Sequence, residues 1–86
     1  MPTLSTFFGI VIRMYYDDHP PPHFHAIYGE HEVKIAIETL EVIEGKLPRR
    51  ALGLVFDWAE LHKQELRDNW NEGQQHRPLS PIEPLE

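Results

Sequence analysis

The chain contains no cysteine. That excludes a disulfide staple and any thiolate metal site. It also has little positive charge: eight Lys and Arg stand against fourteen Asp and Glu, a net charge of −6 with histidine neutral. Such a balance argues against charge-driven binding to nucleic acid or to an anionic membrane surface, although it leaves room for a local basic patch. No apolar run approaches the length needed to span a bilayer, and Met1-Pro2-Thr3-Leu4 lacks the basic start and apolar core of a signal peptide. The expectation is a soluble cytoplasmic protein. There is no internal repeat and no sign of a second domain, since 86 residues with 41% hydrophobic content suffice for one small core.

What the chain does have is an unusual concentration of histidine and proline. Asp17-Asp18-His19-Pro20-Pro21-Pro22-His23-Phe24-His25 holds three of the six histidines and three of the eight prolines. Consecutive prolines fix φ and donate no backbone hydrogen bond, so Pro20 to Pro22 read as a stiff polyproline II connector. A stiff connector needs anchoring, so at least one of His19, His23 and His25 is expected to bond to backbone or to a carboxylate. Beyond the arm the pattern alternates, which puts His23 and His25 on one side of a strand and Phe24 and Ala26 on the other.

The remaining elements follow from periodicity. Met1 to Phe8 is a short lead, a turn or an edge element. Gly9 to Tyr16 is rich in β-formers and reads as a strand. A second strand spans 23–28, Gly29-Glu30 suits a type II′ hairpin turn, and a third strand runs from His31 to Ile37. Facing Tyr28 with His31 puts Ala26 opposite Val33 and Phe24 opposite Ile35 on an apolar face, and His25 opposite Lys34 and Ile27 opposite Glu32 on the other. Glu38 to Glu41 form a turn, and Val42 to Glu44 a short fourth strand. Pro48 opens a helix that the apolar stripe Leu52, Val55, Ala59, Leu66 and Trp70 carries to about Asn71, with Gly73 just past its end. Leu54, Trp58 and Leu61 widen that stripe beyond what one sheet contact needs, so something else must cover the flank. The tail, residues 74–86, carries Pro78, Pro81 and Pro84. Its Leu79, Ile82 and Leu85 recur every three residues, as on one edge of a polyproline II segment. The fold class is therefore α+β: a single domain over 1–73 with a three- to four-stranded antiparallel sheet and one long C-terminal helix, followed by a Pro-rich tail over 74–86.

Phe8-Gly9-Ile10-Val11-Ile12-Arg13-Met14-Tyr15, Asp18-His19-Pro20-Pro21-Pro22-His23-Phe24-His25-Ala26, Gly45-Lys46-Leu47-Pro48, and Trp58-Ala59-Glu60 with Glu65-Leu66 and Trp70 resemble the small bacterial proteins grouped as domain of unknown function 4160. The resemblance covers nearly the whole chain. It brings no established activity and no catalytic residues. It does imply a protein partner, because members are similar to halves of two-gene modules, beside a second small family of unknown function (2442), arranged like a toxin–antitoxin operon.

Three readings of the histidine face remain open. His23-x-His25, with His19 and either Asp17 or Asp18, has the residue types of a divalent transition-metal site, because imidazole suits zinc, copper, iron and nickel. His23 and His25 with Arg13, Lys34 and Tyr15 have the parts of a metal-independent ribonuclease: two imidazoles as acid and base, cations for the phosphate and a ring to stack on a base. The plainest reading makes His23 and His25 structural anchors of the arm. No organic cofactor is expected, and the partner is a small protein or a second copy of the chain, with RNA a weaker alternative. His62 is expected to be a satisfied, half-buried histidine, Trp58 and Trp70 to be core or interface anchors, and Glu38, Glu41 and Glu44 to be solvated turn and edge charges.

Overall fold

The computed structural model describes residues 2–86, so Met1 of the expected lead lies outside the described residues. Five strands form one antiparallel meander in the order β1 (Thr3–Phe7), β2 (Ile10–Arg13), β3 (His23–Tyr28), β4 (His31–Ala36) and β5 (Val42–Gly45). Helices α1 (Arg49–Leu61) and α2 (Lys63–Gln74) follow. The α+β class holds, but the sheet has five strands where three to four were expected. The extra strand is the N-terminal lead, which pairs along β2 after a two-residue turn at Phe8-Gly9 with both φ values positive. Short polar residues at Ser5 and Thr6 hide this strand, although its inward positions Leu4 and Phe7 are buried.

The first expected strand also ends early. Regular pairing stops at Arg13 rather than Tyr16, and Asp17 at φ +54 turns the chain into the arm. The arm is not one straight polyproline II run: the Pro20–Pro21 bond is cis and the backbone bends at both residues. The β3–β4 hairpin has the expected register at all five pairs, with Tyr28 opposite His31 and Gly29 the one turn residue at positive φ. Burial enforces this register, because a slip by one residue would turn Phe24, Ala26, Val33 and Ile35 away from the core.

Two helices stand where one was expected. His62, at φ −122, leaves helical geometry, its N–H bonds to the carbonyl of Ala59, and the ladder resumes when Leu66 N–H reaches the carbonyl of His62. The ring of His62 lies 5.5 Å from that of Trp58 and its Nδ1 meets Glu65 at 2.6 Å, so the half-buried histidine is satisfied and marks the break. α2 runs through Gly73 to Gln74. It ends with His76 in the left-handed region, its N–H on the carbonyl of Gly73 and that of Arg77 on the carbonyl of Glu72, the pattern of a Schellman cap.

The core lies between the apolar sheet face and the helices. Trp58 is fully buried, with Phe7 and Phe24 rings at 5.5 and 6.0 Å. The widened helix flank is covered by the chain's own tail. Ile82 is buried and donates its N–H to the carbonyl of Leu4, Trp58 Nε1–H donates to the carbonyl of Glu83, and Asn69 exchanges two hydrogen bonds with the backbone of Ser80. Leu79 and Leu85 pack partly against the core, which leaves Leu61 as the exposed member of the flank. Glu38 in the β4–β5 turn holds Arg67 of α2 through two hydrogen bonds of 2.7 and 2.8 Å. No helix among the described residues is long and apolar enough to cross a membrane.

Candidate metal centre

β3 carries His23 and His25 on the sheet face away from the core, yet both are buried, at 2% and 8% exposure. The arm covers them. The bend at Pro20 and Pro21 folds the preceding Asp18 back over the start of β3, so that one carboxylate oxygen, Oδ2, lies 2.9 Å from Nε2 of His23 and 3.4 Å from Nε2 of His25. Gln74 of α2 helps to hold the arm down by donating to the carbonyl of Asp18. Trp70 lies 5.2 Å from the His23 ring, and Tyr15 meets the His25 ring edge-on at 4.5 Å.

The other nitrogen of each imidazole is also engaged. Nδ1 of His23 donates to the carbonyl of Pro21 at 2.7 Å, and Nδ1 of His25 lies 3.1 Å from Glu32 Oε2. A carbonyl oxygen only accepts, so the His23 proton sits on Nδ1 and Nε2 is left to face Asp18. Both anchoring bonds are of the kind expected for the histidine-proline arm. Asp18, His23 and His25 each offer one ligand atom, all within 4.8 Å of one another. Burial pushes the Asp18 carboxyl up, but the backbone N–H of His19 and the contacts with His25 and His23 outweigh it and hold it below the usual carboxylate value.

The structure thus joins two of the three expected histidine ligands to Asp18. His19 is exposed and contributes only its backbone N–H, to the second oxygen of Asp18. Asp17 turns outward to His76 at 2.8 Å. Arg13 and Lys34 flank His25 in register on β2 and β4, as their strands require. Lys34 pairs with Glu44 at 3.4 Å, whereas Nε of Arg13 is buried with no hydrogen-bond partner among the described residues. Beside His25 a cavity of about 340 Å³ is lined by Glu32, Lys34, Glu44 and Gly45 as well. Glu32 is the residue that sequence reasoning missed. Its place opposite Ile27 put it on the correct face, but its diagonal reach to His25 needed coordinates.

A five-stranded meander backed by two helices, with an Asp-His-His cluster under a proline arm, defines a small α+β protein with a candidate metal centre. The chain belongs to the family described as domain of unknown function DUF4160, whose model matches residues 9–71 and so includes the whole cluster with Arg13, Glu32 and Lys34. No curated protein and no solved structure matches it.

Proposed function

We propose that the protein binds a divalent transition-metal ion between Asp18, His23 and His25. The observation that carries this reading is the convergence of Asp18 Oδ2, His23 Nε2 and His25 Nε2, while the opposite nitrogens rest on the Pro21 carbonyl and on Glu32. Metal-bound histidines use such outer partners to fix the tautomer and aim the ring. Zinc takes nitrogen and carboxylate oxygen at about 2.0–2.2 Å, so donors around one ion stand roughly 3–4 Å apart, close to the spacing present here. Two histidines and one carboxylate with open positions suit zinc or iron(II). Calorimetry with zinc or nickel on protein free of any affinity tag should show one site in the native chain and none in a His23→Ala/His25→Ala double variant. Absence of heat from the native chain would remove the reading.

The acid–base reading with His23, His25, Arg13 and Lys34 has weaker support. Both imidazoles are buried and turned to carboxylates, and Lys34 is paired with Glu44.

A second reading concerns partners. We propose that the protein is one component of a cytoplasmic two-protein module of the toxin–antitoxin kind. The observation that favours a partner lies at the other end of the sheet. Phe8, a bulky residue at φ +49 and 59% exposed, lines an apolar groove of about 350 Å³ with Tyr28, Pro48, Arg50 and Leu54. The hairpin turn imposes the left-handed conformation, and it leaves a large apolar ring in solvent at the rim of that groove, where a partner could bury it. Light scattering on the native chain and on Phe8→Asn tests whether this groove joins copies of the protein. Co-purification from a native host tests for a second protein.

A further inference from the structure

We infer that the metal at Asp18, His23 and His25 takes an oxyanion as its exchangeable ligand, a phosphate or carboxylate group, and that Arg13 holds that anion. The inference rests on the metal reading proposed above.

Three protein donors leave at least one coordination position for an outside ligand. The charges around that position are unbalanced in favour of an anion. A divalent ion carries +2, the ligating Asp18 carries −1, and Glu32 behind His25 carries −1. Lys34 is neutralised by Glu44 at 3.4 Å. Arg13 is the remaining cation, and it forms no ion pair among the described residues.

Arg13 is also in the right place. It is the direct cross-strand partner of His25, and side chains so paired begin about 4.5–5.5 Å apart at Cβ. Its Nε is buried without a hydrogen-bond partner among the described residues. Burying a guanidinium nitrogen unpaired is costly, so the geometry asks for an acceptor. The planar fork of arginine matches the two oxygens of a phosphate or carboxylate, which a lysine at that position would not. Tyr15 packs edge-on against the His25 ring at 4.5 Å, which holds that imidazole in place beside Arg13. The acidic net charge of the chain favours a small group over a polymer backbone.

The test uses the full chain loaded with cobalt(II), whose visible spectrum reports its coordination. Calorimetry first establishes cobalt binding in the native protein, in Arg13→Gln and in Arg13→Lys. Inorganic phosphate and acetate are then titrated separately, so the two arms distinguish a phosphate from a carboxylate ligand. The native spectrum should change saturably with at least one of them. Loss of hydrogen bonds to a charged group should weaken that response by about 10- to 100-fold in Arg13→Gln, while cobalt itself binds at least as tightly, because a cation beside the metal has been removed. If Arg13→Gln does not fold, Arg13→Lys decides, because it keeps the charge and loses the fork, and it too should bind the anion more weakly. A native spectrum indifferent to both anions, or equal responses in native and variant protein, would overturn the inference while leaving the metal site intact. Failure of the native chain to bind cobalt would overturn the metal reading, and this inference with it.

Discussion

Asp18 meets Nε2 of His23 at 2.9 Å across the bend of the proline arm, and the far nitrogen of that ring is already committed to the Pro21 carbonyl. Carboxylate and carbonyl both accept, so a proton or a metal ion must lie between Asp18 and His23. Asp18→Asn replaces one of three ligand atoms with a neutral amide. It should lower zinc affinity by at least the 10- to 100-fold typical of losing even an outer-shell partner. Calorimetry on the native and variant proteins measures this directly. Equal affinities would show that Asp18 is an anchor of the arm and no ligand.

The same carboxyl gives the chain an acid limit. Burial raises its pKa, but the His19 N–H and the contacts with His25 and His23 bring the net value below the ordinary 3.8. The folded form therefore releases this proton more readily than the unfolded chain does. The stabilisation is fully present above the unfolded value and is lost as pH falls through the lower folded value. Urea midpoints should accordingly fall below about pH 4, and Asp18→Asn should flatten that fall. An unchanged acid limb in the variant would mean that other carboxylates carry it.

Glu32→Gln tests the orienting role behind His25. The amide keeps the size but loses the charge that meets Nδ1 at 3.1 Å, and metal affinity should drop by about 10- to 100-fold with the fold retained. Gly45→Ala tests the same residue from behind. Gly45 sits at φ +86, and an added Cβ would overlap the carbonyl oxygen of Glu32, which also receives the N–H of Lys46. Backbone would have to move, at a cost of about 1–3 kcal/mol from the strained φ alone, before the clash is counted. Gly45→Ala should thus lose both stability, by urea unfolding, and metal affinity. Loss of stability with metal affinity intact would separate the β5 contact from the site.

How far these relationships could be read in the sequence depends on their range. The β3–β4 register was legible because alternation and a Gly-Glu turn agree locally, and it put His25 opposite Lys34. Arg13 joined that row only on the condition that the first strand lay beside the hairpin in a compatible register, a pairing of β2 with β3 that needed coordinates. The pairing of Asp18 with the two imidazoles was only partly legible. The arm's residues named the chemistry, but the bend that selects Asp18 over Asp17 and His19 arises from packing against β3 and α2. Helix ends misled for a definite reason. Gly73 looked like the left-handed terminal residue, but His76 takes that conformation, supported by Asp17 at 2.8 Å and by stacking on Tyr16. The break at His62 has neither proline nor glycine to announce it, and β1 was hidden by its polar residues.

The tail supplies the last prediction. A Pro-rich segment with no regular secondary structure looks dispensable, yet Ile82 is 4% exposed, its N–H reaches Leu4 on the edge strand, and the next residue accepts the indole N–H of Trp58 at 2.8 Å. The tail thus ties β1 to α1, two elements far apart in sequence, and it shields the Trp58 side of the core. Ile82→Ala removes three methyl or methylene groups from a packed site and should cost about 2–5 kcal/mol in urea unfolding. Trp58→Phe loses a hydrogen bond, worth about 0.5–1.5 kcal/mol, together with some ring packing, and should expose residues 80–86 to proteolysis before the rest of the chain. Leu61→Ala is the control, since that side chain is 71% exposed and should change stability by less than about 0.5 kcal/mol. If Ile82→Ala proves as mild as Leu61→Ala, the tail is not bound to the helices in solution. The flank around Trp58 would then be open, and a second protein would be the natural cover for it.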